Sequence, residues 1–150
     1  YRIATQGRIT RDVDASNVIA ILPGRSPRRI YVSAHYDTVA LSGGGQAAAN
    51  SGTPRTQVAI AAPDDVAPGV NDDGSGVALT LELARVVSQS RLDSDATLVF
   101  ITWAGEEQGL YGGKLLADYA RAQHWRVKAV LNNDIVGNTP DVCDRRTCKP

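Results

Sequence analysis

The first two apolar runs of the chain are short and β-branched: Asn17 to Leu22 (NVIAIL) and Arg29 to Ser33 (RIYVS). Pro23-Gly24-Arg25-Ser26-Pro27 between them is turn chemistry, so the pattern predicts two neighbouring strands. From Leu41 to Val66, Gly, Ala, Ser, Pro and Gln dominate without a sustained period, which predicts a long loop with a short strand at Gln57 to Ala61. Behind Gly74-Ser75-Gly76, the residues Val77, Leu81, Ala84 and Val87 recur at helical spacing, and an amphipathic helix is expected over Val77 to Ser90. Ala96 to Trp103 (ATLVFITW) is continuously apolar, as a strand buried on both faces should be. Leu110 to His124 reads as helix and Val127 to Leu131 as strand. Strands alternating with helices favour an α/β sandwich with a mixed, largely parallel central sheet.

Composition narrows the field by exclusion. The chain has 150 residues, 43% of them hydrophobic, with 16 basic against 16 acidic side chains. That rules out collagen, coiled coil and disorder, and one domain is the natural expectation. A net charge of zero offers no positive field for nucleic acid. No stretch reaches the roughly 18 uninterrupted apolar residues of a membrane span. The start, Tyr1-Arg2-Ile3-Ala4, has neither an initiator Met nor the shape of a signal peptide and reads as mature or trimmed. The end, Arg145 to Pro150, is loop-like and closes no element, so the fold is expected to continue beyond it.

Ligands of open α/β sheets gather at the carboxyl ends of the central strands, and four polar clusters fall there. Ala34-His35-Tyr36-Asp37 sets an imidazole and a carboxylate two residues apart. A metal-bound His commonly has its other nitrogen held by a carboxylate, which Asp37 can supply, although an isolated pair of this kind is more often a solvated strand end. Asn71-Asp72-Asp73-Gly74-Ser75-Gly76 opens the first helix with adjacent carboxylates; capping explains one of them, while two side by side call for a cation. Glu106 and Glu107 follow the buried strand; the helix dipole accounts for one acidic group in a first turn but not for the pair. Asp134 lies among apolar neighbours after the last strand, where a buried carboxylate needs a partner or a metal. Each cluster has an ordinary structural explanation, but together they fit one oxygen-rich metal site.

The motifs S-A-H-Y-D-T, P-G-V-N-D-D-G-S-G, W-A-G-E-E-Q-G-L-Y-G and N-N-D-I-V-G, in that order, strongly resemble the co-catalytic dizinc exopeptidases, the bacterial leucyl aminopeptidases and glutamate carboxypeptidase II-like proteins. The likeness runs from about Asn17 to Gly137. It implies the three-layer zinc exopeptidase fold and two Zn²⁺ ions, with Co²⁺ or Mn²⁺ as substitutes. His35 and Asp134 then resemble terminal ligands of one zinc, Asp72 the bridge and Glu107 the ligand of the other zinc. Glu106 resembles the general base acting on a water between the metals, Asp37 the supporting partner of His35, and the Asp72–Asp73 bond one that is commonly cis. The expected activity is release of N-terminal residues from peptides with a free N-terminus.

The resemblance is incomplete at one point. The family's fifth ligand is a His well downstream of the position of Asp134, and this chain ends at Pro150; its other histidine, His124, precedes Asp134 and reads as a residue of a helix end. Residues 1–150 are therefore expected to be the N-terminal part of one catalytic domain, inactive without its missing C-terminal part. Cys143 and Cys148 enclose four residues and suit a small disulfide ring, free thiols being the alternative. A disulfide, with the exported character of many family members, points to a secreted or periplasmic protein. Two other readings keep the fold: a non-catalytic protease-like binding domain, and a glutaminyl-cyclase-like relative. Complete NDDGSG and GEEQGL motifs favour the peptidase.

Overall fold

The computed structural model describes residues 2–5, 8–12, 14–38 and 69–137. The loop expected over Leu41 to Val66, with its strand at Gln57 to Ala61, and the Cys143 and Cys148 pair lie outside these residues. Strands β1 (Arg2–Thr5) and β2 (Arg8–Asp12) form an antiparallel ribbon of their own. Its signal in the sequence is slight, a short polar–apolar alternation in Arg2-Ile3 and Arg8-Ile9-Thr10.

The main sheet comprises β3 (Val18–Leu22), β4 (Ser26–His35), β5 (Ala96–Trp103) and β6 (Arg126–Asn132) in the order β3-β5-β4-β6. β4 runs parallel to both β5 and β6, and β3 lies antiparallel on β5, which gives the expected mixed, largely parallel sheet. One expectation fails: β3 and β4 are not neighbours, because β5 separates them. Their connection crosses the start of β5 instead of closing a hairpin. Arg25 and Ser26 donate their N–H groups to the carbonyls of Ser94 and Asp95. Gly24 runs so close to Ala96 that a Cβ there would stand 2.3 Å from its carbonyl carbon. Turn residues report a change of direction and not which strand is met afterwards.

Helix α1 (Gly74–Gln89) leads into β5, and α2 (Tyr111–Ala122) joins β5 to β6. Side chains alternate across the two central strands, so each face has its own buried set. Tyr31, Val99 and Ile101 share one face with Leu116 of α2. Val32, Ala34 and Phe100 are buried on the other, leaving that face to α1, which packs on β4 and β5. The flanking strands stay largely exposed; β6 is exposed along its whole length. The best-buried strands of the sheet are therefore β4 and β5, and their carboxyl ends carry His35 and the Glu106–Glu107 turn.

Candidate metal centre

β4 delivers His35 to the sheet end with 2% of its surface exposed. Its Nδ1 lies 2.9 Å from the backbone carbonyl oxygen of Asp37. A carbonyl only accepts, so Nδ1 carries the proton and, in the neutral ring, Nε2 presents a lone pair. That lone pair faces carboxylates: Nε2 is 3.0 Å from Asp72 Oδ1 and 3.9 Å from Asp134 Oδ1. Lone pair and anions repel unless a proton or a metal ion stands between them. Burial by itself lowers the imidazole, but the bond to the Asp37 carbonyl and the charges of Glu106, Asp73 and Asp37 outweigh it, and the net effect is a raised pKa.

Asp72 and Asp73 have different tasks. The peptide bond joining them is cis, as the resemblance implies. Asp73 is 1% exposed and caps α1 through the Gly76 N–H at 2.9 Å. Its two oxygens also accept the N–H groups of His35 at 3.1 Å and Ile135 at 3.3 Å. The capping explanation is correct for Asp73, and it leaves Asp72 turned toward His35.

Glu106 and Glu107 do not sit in a helix's first turn. They precede α2, whose first turn has no acidic residue, in a bend where Gly105 (φ 65°) and Gly109 (φ 131°) supply left-handed backbone. Both amides are held by one carboxylate: the N–H groups of Glu106 and Glu107 donate to Asp37 Oδ1 and Oδ2, each at 3.0 Å. Asp37 therefore supports His35 through its main chain, with its carboxylate 3.9 Å from Nδ1, and supports the glutamates through its side chain.

Asp134 follows β6, and the next residue, Ile135, has φ 52°. A β-branched residue in the left-handed region is strained by roughly 1–3 kcal/mol, and such strain collects at functional sites. Asp73, through the Ile135 N–H, holds it there.

Two overlapping groups bring candidate ligand atoms within 4.8 Å of one another: His35 with Asp72 and Glu107, and His35 with Asp73 and Asp134. Asp73 is already engaged by three amides, so among the described residues the remaining candidate donors are His35, Asp72, Glu107 and Asp134. Glu107 Oε1 is buried with no hydrogen-bond partner among the described residues. Burial, and then the neighbouring carboxylates, raise the pKa values of Glu106, Glu107 and Asp134, with His35 opposing. An orphaned buried oxygen among crowded carboxylates and one imidazole fits a divalent metal of the zinc type. His124 is exposed at the far end of α2 and joins neither group.

Sequence reasoning missed the residues that hold these loops. Asn71 Oδ1 accepts from Gly137 at 2.9 Å and from Ser75 at 3.0 Å, and Asn133 Nδ2 donates to Thr80 Oγ1 at 3.1 Å. Asn71 and Asn133 stand inside motifs already singled out, but their partners do not show in a linear reading.

A mixed sheet with one imidazole and several carboxylates converging at the ends of its parallel strands defines a class, the α/β domain with a candidate metal site at its strand ends. The chain belongs to peptidase family M28, whose model matches residues 17–146. Over 141 residues it is 44% identical to a probable zinc metalloprotease of Pyricularia oryzae, covering 93% of this chain and 24% of that protein. A probable leucine aminopeptidase of Arthroderma otae is 33% identical over 136 residues, 88% of this chain and 32% of that protein. An aminopeptidase from Aneurinibacillus sp. strain AM-1 superposes with a TM-score of 0.59 at 33% identity, covering 82% of this chain and 25% of its own. The LapA aminopeptidase of Legionella pneumophila does so with 0.57 at 27% identity, over 79% of this chain and 26% of its own. The chain thus spans about a quarter to a third of these proteins' length.

Proposed function

We propose that the protein is a zinc-dependent exopeptidase, an aminopeptidase acting on peptides with a free N-terminus. His35 and Asp134 would hold one zinc, Glu107 the other, and Asp72 both. When bound, the two ions supply Lewis acidity for the attacking water and the scissile carbonyl. Glu106 removes a proton from that water and returns it to the departing amine; a carboxyl raised by burial is suited to both transfers. Asp37 keeps Glu106 and Glu107 aimed through their amides. In the same reading the chain is the N-terminal part of its catalytic domain, a further ligand comes from the remainder, and the protein is exported.

One observation carries the proposal: the buried Oε1 of Glu107, unpartnered among the described residues, in a cluster whose other carboxylates face the Nε2 of His35. It is tested on the full-length protein, which carries the further ligand, by zinc content after loading and desalting, together with hydrolysis of aminoacyl p-nitroanilides. Glu106→Gln should keep zinc and lose roughly 10²–10⁴-fold in kcat. Asp72→Asn should lose zinc. Zinc bound by the full-length protein without hydrolysis would favour the binding-domain reading, and ammonia release from N-terminal glutaminyl peptides the cyclase-like one.

A further inference from the structure

The turn bearing Glu106 and Glu107 is fastened at two places. Asp37 holds its tip, and its base is closed by a residue from the other edge of the sheet. Asn17, half-buried just before β3, accepts the N–H of Ala104 through Oδ1 at 3.0 Å. Its Nδ2 donates to the carbonyl of Gly112 at 2.9 Å. These partners lie 87 and 95 residues away in sequence. Ala104 is the first residue after β5, and Gly112 stands in the first turn of α2. Between them Gly112 N–H donates to the Ala104 carbonyl at 2.8 Å and Tyr111 N–H to that of Gly105 at 2.9 Å.

The chemistry of the contact selects asparagine. Only a carboxamide offers a donor and an acceptor on one planar group of this length, and only one orientation satisfies both partners. Aspartate would set a negative charge against the Gly112 carbonyl. Gly112 is matched to it: a Cβ there would stand 2.1 Å from Asn17 Oδ1 and 2.6 Å from the Ala104 carbonyl oxygen. The strand does not need the clamp, because β5 is already paired to β3 on one side and β4 on the other. What the clamp adds is a set spacing between the end of β5 and the start of α2, from which both glutamates project.

We propose that Asn17 is a positioning residue of the reactive site, fixing the aim of Glu106 and Glu107 from behind while Asp37 fixes it from the front. The proposal rests on the peptidase reading above, but the zinc readout below does not require activity. In the full-length protein, Asn17→Ala and Asn17→Asp are compared with the unaltered sequence by zinc competition against a chromogenic chelator and by kcat and KM on an aminoacyl anilide. Thermal unfolding of the metal-free protein is the folding control. Loss of a partner that orients ligands from outside typically costs 10–100-fold, so Asn17→Ala is expected to lose about that much in kcat, keep KM within about threefold and bind zinc about tenfold more weakly. Asn17→Asp, which keeps the acceptor for Ala104, should fall between the two. Zinc affinity and kcat unchanged in either folded variant would overturn the proposal, and if Asn17→Ala does not fold, Asn17→Asp decides alone. Were the unaltered full-length protein, which carries the remaining ligand, to hydrolyse no peptide, the peptidase reading would fall while the zinc titration still decided the role of Asn17.

Discussion

His35 is anchored to Asp73 through its main chain: the His35 N–H donates to Asp73 Oδ2 at 3.1 Å, while the ring points elsewhere. The second oxygen of Asp73 takes the N–H groups of Gly76 and Ile135, so one buried carboxylate ties together the end of β4, the start of α1 and the loop after β6. Hydrogen bonds to a charged group contribute about 1.5–3 kcal/mol each. Asp73→Asn keeps one acceptor and turns an N–H toward amide donors, so it is expected to cost about 2–4 kcal/mol. Urea denaturation of the metal-free protein measures this, and a loss below about 0.5 kcal/mol, the range of ordinary surface changes, would rule the hub out.

Two helical glycines should answer the same substitution with opposite signs. Alanine in place of glycine inside a helix usually stabilises by about 0.5–1 kcal/mol. At Gly113 of α2 a Cβ meets nothing within 4 Å, and Gly113→Ala should show that gain. At Gly76 of α1 the Cβ would stand 2.1 Å from the Asn133 carbonyl oxygen and 2.4 Å from Asp73 Oδ1. Gly76→Ala should therefore destabilise by about 1–3 kcal/mol, the usual cost of overpacking. Matched melting curves of the two variants test this; a stabilised Gly76→Ala would mean that the β6 loop does not press on α1 as described.

How much of this was legible in the sequence depends on the distance between partners. Ala96 to Trp103 could be read as a buried strand because burial on both faces imposes a continuous apolar run, and β5 has those bounds. The carboxylates gathered around His35 were legible because they stand in short motifs at strand ends. Strand order was not: Pro23 to Pro27 states that the chain turns, while the backbone approach of Gly24 to Ala96 decides where it goes. Asn17 left no local signal either, since its partners lie beyond β5. The double duty of Asp37 was hidden for the same reason, because carboxylate and carbonyl of one residue serve different loops.

That double duty makes a prediction about which function of Asp37 depends on its side chain. Asp37→Asn leaves the backbone carbonyl that holds His35 Nδ1 in place and weakens the grip on the Glu106 and Glu107 amides. Turnover of the full-length protein should fall about 10–100-fold, the usual range for supporting partners of a metal site. Zinc binding at His35, on the proposed reading, should stay near its original strength. Zinc titration of the variant, followed by histidine NMR shifts, checks this; a His35 signal that no longer responds to zinc would show that the carboxylate, and not the carbonyl, supports the ring.

The metal-free protein should lose stability as the solution becomes more alkaline. Glu106, Glu107, Asp134 and His35 all have raised pKa values in the fold. A group with a raised folded value binds its proton more tightly folded than unfolded, so its contribution is complete below the unfolded value and disappears as pH rises through the folded one. For the carboxyl groups the loss begins above about pH 4, and for His35 above about pH 6.5, so all four act with the same sign between mildly acidic and neutral pH. Zinc replaces these protons and removes the repulsion, and its binding strengthens as the ligands deprotonate. The rise in Tm on adding zinc should therefore be small near about pH 5 and larger near about pH 7.5. Thermal unfolding across that range, with chelator and with zinc, reads both slopes. If the chelated protein grew more stable toward pH 7.5, or the zinc increment did not grow with pH, the carboxylate cluster around Nε2 of His35 would not be the metal site.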